Sequence, residues 1–521
     1  MTLFRSSRVR ACLSLVLLVS SVASALHSQV LDTEARRASY DGPRPKYIMF
    51  FIGDGFGMAQ SFAAEAYLGS AKDGVQTSAL TLNSLPVYGA ISTHAQNRLI
   101  TDSAAAGTAL ATGYKTTVNT ISMDGPRVNA LRTVAEAARD KGLKVGIVTS
   151  VSIDHATPAV FYAHQPDRNM YYHIALDLSA SGFDYFGGGG FMEPDGESDG
   201  VVDRLKQNTG LDNAKQGAGE ANCLTIASSR GYSYVDDEVA FRALRNGAGK
   251  VIATAPRLVS GEALPYAIDR REGELSLADF TAKGIELLAG PQGFFMMVEG
   301  GKIDWSCHAN DAATTVHEVI DFDMAVRAGL DFYQANPADT LIIVTADHET
   351  GGMGVGFAGT KYDGNISVLR RQKLSYEVVS QKVAAYRDAN PAGGSFDEVM
   401  DMLEENFGLG DAAAGLGLSP LELNQLRTAF EDSMRNSAPK DPVSKALYYL
   451  NYGDYEPIVA AACRILAEKA GVSWTSYSHT AVPVPVRAIG PGSELFSGAM
   501  DNTDMARNIF FLLGEPLPAS K

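Results

Sequence analysis

Short apolar runs with no polar interruption recur along this chain: residues 46–52 (KYIMFFI), 144–151 (KVGIVTSV), 251–255, 293–298 (GFFMMV) and 340–345 (TLIIVT). Each has the length of a strand rather than a helix. A strand that is apolar on both faces needs cover on both, and a parallel sheet with helices on either side provides it. Helical patterns lie between the runs, at 131–141, 276–289 and 315–334, and 486–490 with 503–513 reads as a late strand and a closing helix. The alternation predicts an α/β fold, a three-layer α/β/α sandwich with a mostly parallel central sheet. The 521 residues suffice for one large domain with insertions, or for two to three domains.

The N-terminus departs from this rhythm. Arg5, Arg8 and Arg10 precede the apolar run 11–22 and the small residues Ala23-Ser24-Ala25, the pattern of a signal peptide over 1–25. The arginines form no twin pair, so the general secretory route and a periplasmic or secreted destination are expected. The run is too short for a lasting membrane span. Residues 26–45 read as a mobile lead-in. A formal charge of −16, three units more negative once the signal leaves, argues against nucleic acid as a partner. Should the substrate be an anion, bound divalent cations are the natural source of positive charge. Cys223, Cys307 and Cys463 remain after the signal and allow at most one disulfide. From about 352 to 473 the strand–helix rhythm stops. The amphipathic stretch 421–435 and the cluster Tyr448, Tyr449, Tyr452 and Tyr455 mark a long insertion on the sandwich, suited to a subunit interface or, almost equally, to a self-packed lobe with no partner.

In open α/β sheets ligands gather outside the carboxyl ends of the strands. Reading those ends in turn gives Asp54, then His155 and Thr157, then Glu299, then Asp347 and His348. One acidic residue at a strand end is commonly a helix cap; metal-ligand types at four ends are harder to explain that way. Gly53-Asp54-Gly55-Phe56-Gly57 lacks the third glycine of a dinucleotide fingerprint, because Met58 stands there, and reads better as a tight turn that aims Asp54. Asp304 and His308, four apart, share one helix face, as two ligands of one zinc require. Ser103 opens the small-residue helix of Thr101-Asp102-Ser103-Ala104-Ala105-Ala106-Gly107-Thr108. A serine hydroxyl needs an activator, and the surrounding ligand set points to metal-assisted attack. Arg168 carries a fork that matches two phosphate oxygens, though a lone arginine is as a rule a surface cation, and only the resemblance below gives it the phosphate role.

Taken in order, Asp54-Gly55, the Thr101 to Thr108 block with Ala109, His155-Ala156-Thr157-Pro158-Ala159, Glu299-Gly300-Gly301-Lys302-Ile303-Asp304, Thr345-Ala346-Asp347-His348-Glu349-Thr350 and His479-Thr480 resemble the motif set of alkaline phosphatases, from about residue 44 to 514, with the catalytic domain expected over 46–514. The resemblance implies hydrolysis of small phosphomonoesters at alkaline pH through a phosphoserine, by a homodimer holding two zinc ions and one magnesium. It implies a first zinc on Asp304, His308 and His479, a second on Asp54, Asp347, His348 and the Ser103 oxygen, and magnesium on Asp54, Thr157 and Glu299 with His155 near. Arg168 would grip phosphate. His155 and Trp305 stand where the enterobacterial pattern has aspartate and lysine, which resembles a marine-bacterial branch with a dimer-embracing inserted loop; a histidine there also suits zinc or cobalt. Two other readings use the same residues: a phosphodiester, phosphonate or sulfate-ester hydrolase of the same scaffold, and a secreted metal- or phosphate-binding protein without turnover. An arginine such as Arg168 favours monoesters, and an intact Ser103 favours turnover.

Overall fold

A computed structural model of the chain describes residues 33–71, 76–196 and 221–517; the expected signal peptide lies outside them. The strands are β1 (Tyr47–Gly53), β2 (Val87–Ser92), β3 (Lys144–Thr149), β4 (Tyr185–Gly188), β5 (Tyr232–Val235), β6 (Lys250–Thr254), β7 (Phe294–Gly300), β8 (Thr340–Thr345), β9 (Glu349–Thr350), β10 (Gly354–Val355), β11 (Val472–Ser473), β12 (His479–Thr480), β13 (Val484–Ile489) and β14 (Gly498–Asp501). Ten of them build one sheet in the order β14–β2–β13–β8–β1–β7–β3–β4–β6–β5. Within it only β13 runs against its neighbours.

Burial on two faces explains the apolar runs. Along β1 successive side chains alternate across the sheet. Phe51 meets Phe322 of the helix Ala312–Ala335, ring centres 6.4 Å apart, while its neighbour Phe50 meets Phe161 on the other face at 6.2 Å. Every residue of β1, β7 and β8 is buried. Helices Leu277–Leu288 and Ala312–Ala335 cover one side. Ser103–Thr112, Val134–Asp140 and Asn502–Leu513 pack together as another group. The architecture is the α/β sandwich expected.

Two regions add to the sequence picture. Where a mobile lead-in is expected, Thr33–Ser39 forms a helix fastened to the closing helix. Thr33 donates to Asp504 at 2.7 Å and Arg37 to Asn508 at 2.9 Å. Between β10 and β11 lie five helices, Tyr376–Ala389, Phe396–Phe407, Pro420–Arg435, Pro442–Tyr452 and Pro457–Ala470. Val379, Leu403, Leu426 and Ile458 join the main core. Gln372 reaches Asp311, and the hydroxyls of Tyr376 and Tyr266 lie 3.0 Å apart, docking this helical lobe on the sandwich. Cys223, Cys307 and Cys463 are buried free thiols.

Candidate active site

The four strands whose ends carry the predicted ligands are consecutive neighbours, β8–β1–β7–β3. Their parallel register levels Ile52 with Glu299 on one side and with Thr345 on the other, and Glu299 with Thr149. The chain leaves β1 through Gly55, at φ +73°, where a Cβ would lie 2.8 Å from the Asp304 backbone. Only glycine lets this turn press against the helix Lys302–His308. Asp54, Glu299, Asp347, His348 and Asp304 therefore converge at one edge of the sheet.

Ser103 heads the fully buried helix Ser103–Thr112, whose alanines and glycine let it sit deep in the fold. Its Oγ lies 3.2 Å from His348 Nε2, and the same nitrogen is 3.3 Å from Asp54 Oδ1 and 3.2 Å from Asp347 Oδ2. Asp102 caps the helix by accepting from the Ala105 N–H at 3.1 Å, and it also accepts from the Asn119 N–H at 2.9 Å. Its Oδ2 meets Arg168 at 3.4 Å. The other arm of the Arg168 guanidinium lies 3.2 Å from His155 Nε2, so Arg168 is held at two points beside the helix N-terminus.

A second group surrounds Asp304. His308 Nε2 is 3.3 Å from Asp304 Oδ2 and His479 Nε2 is 3.6 Å from Oδ1. His308 Nδ1–H donates to the Tyr477 carbonyl at 2.6 Å and His479 Nδ1–H to the Thr101 carbonyl at 2.9 Å. Since carbonyls only accept, each ring in its neutral form keeps its lone pair on Nε2, and these two nitrogens face each other at 3.1 Å; despite the burial of His308, Asp304 pushes that imidazole up to about 9, so a cation bound there would displace its proton. Two facing lone pairs suit a shared cation. The three-ligand grouping of donor atoms here is Asp304, His348 and His479, with the His348 and His479 rings stacked at 3.6 Å. His348 thus bridges the two expected zinc groups, and His308 stands at the rim.

The third group is Asp54, His155 and Glu299. Thr157 Oγ1 donates to Asp54 Oδ2 at 3.2 Å, and Thr149 donates to Glu299 Oε2. Among the described residues, sheltered acceptors in these groups find no hydrogen-bond donor: Asp54 Oδ1, Asp347 Oδ2 and Glu299 Oε1. Burial and then the neighbouring Asp347 raise Asp54 well above the usual carboxylate range; burial and then Asp304 do the same to Asp347. Burial pushes Glu299 up to about 7 and His155 down to about 3. Asp304, despite its burial, is held well below the usual range by His308 and His479. Unpaired, mutually repelling buried acceptors fit divalent cations, which would supply the missing charge and satisfy the open oxygens.

Every predicted ligand, with Ser103 and Arg168, falls in this one region. The sequence reading did not single out the residues that orient them. Glu349 accepts from Gln60 at 2.7 Å, from the Met353 and Gly352 amides at 3.1 and 3.2 Å, and from Thr480, beside His479. Thr350 donates to Asp304. Antiparallel pairing of β9 with β12 sets His479 opposite Thr350. The available signal was position alone: Glu349 and Thr350 follow the Asp347-His348 pair directly, and Asp102 precedes Ser103 at a capping position.

Comparison with known proteins gives a consistent result. The family model for alkaline phosphatase matches residues 45–514. Alkaline phosphatase 3 of Bacillus subtilis is 30% identical over 502 residues, 94% of this chain and 93% of the relative. Alkaline phosphatase 4 of the same organism is 32% identical over 423 residues, 80% of this chain and 77% of the relative. Among solved structures, the cold-active alkaline phosphatase of a psychrophilic Shewanella superposes with a TM-score of 0.69 at 26% identity, covering 90% of this chain and 99% of that one.

Proposed function

The chain belongs to the alkaline phosphatase family, and from that premise we propose that it hydrolyses phosphate monoesters at alkaline pH through a phosphoserine on Ser103. The observation that carries the reading is the nucleophile's setting. Ser103 Oγ lies 3.2 Å from His348 Nε2, among carboxylate oxygens that have no donor among the described residues. Asp304, His308 and His479 would hold one zinc, and Asp54, Asp347, His348 and Ser103 Oγ a second. Asp54, Thr157 and Glu299, with His155, would hold magnesium, although the imidazole also suits zinc or cobalt. Bound there, divalent cations supply the charge that lowers the pKa of a hydroxyl or water and stabilises oxygens gaining charge in the transition state.

The chain's own groups do the rest. Ser103 gives up its hydroxyl proton to solvent and attacks phosphorus in line, its oxygen forming the new P–O bond as the bond to the leaving alkoxide breaks, and water protonates that alkoxide to the alcohol. The N-terminus of its helix favours negative charge at that place. Arg168, pinned by Asp102, grips two equatorial oxygens with its planar fork. Positioning and charge stabilisation carry most of the acceleration in phosphoryl transfer. Water then attacks the phosphoserine from the face the alcohol vacated, releasing inorganic phosphate and restoring Ser103. Recognition rests on the phosphoryl group, so the alcohol varies widely.

The same reading makes the protein an exported homodimer with residues 1–25 as its signal. The lobe of about 352–473 would serve as the dimer contact, consistent with the exposed Val443 and Leu447 on helix Pro442–Tyr452. A paired assay with nitrophenyl mono- and diesters tests the substrate class. Turnover of the monoester should dominate, and faster diester hydrolysis would overturn the proposal.

A further inference from the structure

Backbone strain gathers beside the nucleophile. Seven non-glycine residues among those described take positive φ, and three of them, Asn119 (+68°), Ser122 (+41°) and Arg127 (+63°), lie in one short loop. The loop has no role in the mechanism. Such conformations are uncommon outside glycine and cost free energy, so they persist only where the surroundings hold them. The contacts of this loop are of that kind. The Thr108 hydroxyl, on the Ser103 helix, donates to the Thr120 carbonyl at 3.0 Å and accepts from the Ser122 N–H at 2.9 Å. Ile121 and Gln165 exchange both backbone hydrogen bonds, at 3.0 and 3.1 Å. The loop is thus fastened to the nucleophile's helix on one side and to the chain before Arg168 on the other.

Asn119 joins the two sides at the site itself. Its N–H donates to Asp102 Oδ2 at 2.9 Å, the oxygen that Arg168 meets at 3.4 Å, and its carbonyl accepts from the Arg168 backbone N–H at 2.8 Å. These two groups belong to the peptides on either side of one Cα, so the dihedrals of Asn119 fix the angle between them. A residue driven out of the left-handed region cannot keep both bonds, and asparagine tolerates that region better than most side chains do. Arg127 adds a brace. Its guanidinium donates to the Val118 carbonyl at 2.8 Å and to the Pro166 carbonyl at 2.9 Å, tying the residue before Asn119 to the one two before Arg168. We propose that Asn119 and Arg127 are positioning residues that hold the Arg168 guanidinium against Asp102 for phosphate, Asn119 through its left-handed backbone and Arg127 through this brace.

The inference rests on the reading of Arg168 as the phosphate grip. Its test is the affinity for inorganic phosphate, measured by calorimetry on the full-length protein with zinc and magnesium present. Asn119→Val, whose β-branched side chain disfavours positive φ, and Arg127→Ala should each weaken phosphate binding at least about threefold. Asn119→Gly, which keeps the left-handed backbone, should stay within about twofold of wild type. Arg127→Lys, able to reach one of the two carbonyls, should recover part of the loss. Asn119→Val and Arg127→Ala are then each combined with Arg168→Ala. Acting through Arg168, they should add less than about twofold in that background, whereas a general loosening of the fold weakens binding by the same factor in both backgrounds. Equal factors in both backgrounds, or wild-type affinity in both single variants, would overturn the inference while Arg168 keeps its role. Unchanged phosphate affinity in Arg168→Ala alone would overturn that role and the inference with it.

Discussion

Glu349 offers a sharp test of how the fold builds the site, because it touches none of the expected cations yet holds the strands that carry their ligands. It is buried, and it accepts from Gln60, from the Gly352 and Met353 amides and from the Thr480 hydroxyl. In Glu349→Ala, Gln60 keeps its bond to the Thr350 carbonyl. The two amides and the Thr480 hydroxyl lose their acceptor. Three stranded donors at about 1 kcal/mol each give a loss near 3 kcal/mol, rising toward about 6 if each bond to the carboxylate has the strength of a charged one. The loss falls on the β9–β12 pair, so it also frees His479 and, through Thr350, Asp304. Loss of such an orienting partner weakens metal binding about 10- to 100-fold, equivalent to about 1.4–2.7 kcal/mol. The assay is zinc competition against a chelating dye, run on metal-stripped wild type, Glu349→Ala and Glu349→Gln. Glu349→Gln, which keeps one oxygen acceptor, should fall between the other two. If the alanine variant is destabilised but binds zinc as wild type does, Glu349 acts on the fold alone and the argument fails.

Ser103→Ala should lose phosphoenzyme labelling and fall by more than about 10³-fold in kcat; labelling at the wild-type level would contradict the role of Ser103. Arg168→Ala should weaken inhibition by inorganic phosphate about 10- to 100-fold, as expected for losing charge-assisted bonds, with Arg168→Lys recovering part of it. The His164–Glu136 contact at 3.1 Å makes a pH-dependent contribution. Its histidine is raised above 6.5, despite its burial, by Glu136, and its glutamate is lowered below 4.5, despite its burial, by His164. The histidine's contribution is full below 6.5 and is lost as pH rises through its raised folded value. The carboxylate's is full above 4.5 and is lost as pH falls through its lowered one. His164→Gln should therefore cost more stability in denaturant at pH 6 than at pH 9, and equal losses would contradict the pairing. His155→Asp should favour magnesium over zinc in the third group, read by elemental analysis, since it replaces an imidazole by an oxygen ligand.

Much of this organisation was legible because buried parallel strands announce themselves. β1, β3, β7 and β8 are apolar on both faces, so their runs lack the alternation that would confuse them with half-exposed strands. Strand β4, Tyr185-Phe186-Gly187-Gly188, was invisible because half of it is glycine, and β14, Gly498–Asp501, carries no apolar run. The ligand types at the strand ends were legible, but not that the four strands are consecutive neighbours, which depends on long crossovers. The orienting bonds were hidden for another reason. His308 leans on the carbonyl of Tyr477 and His479 on that of Thr101, and a backbone carbonyl leaves no mark in a sequence. The helix Thr33–Ser39 was missed because its hold comes from Asp504 and Asn508, over 460 residues away.

Metal content and phosphate release, measured on the same samples before and after chelation, bear most directly on the claim that cations and Ser103 act together. The account predicts zinc at two ions per chain in active protein, joint loss of zinc and turnover on chelation, and return of both on adding zinc and magnesium. Undiminished phosphate release from protein shown to be free of zinc and magnesium would contradict it.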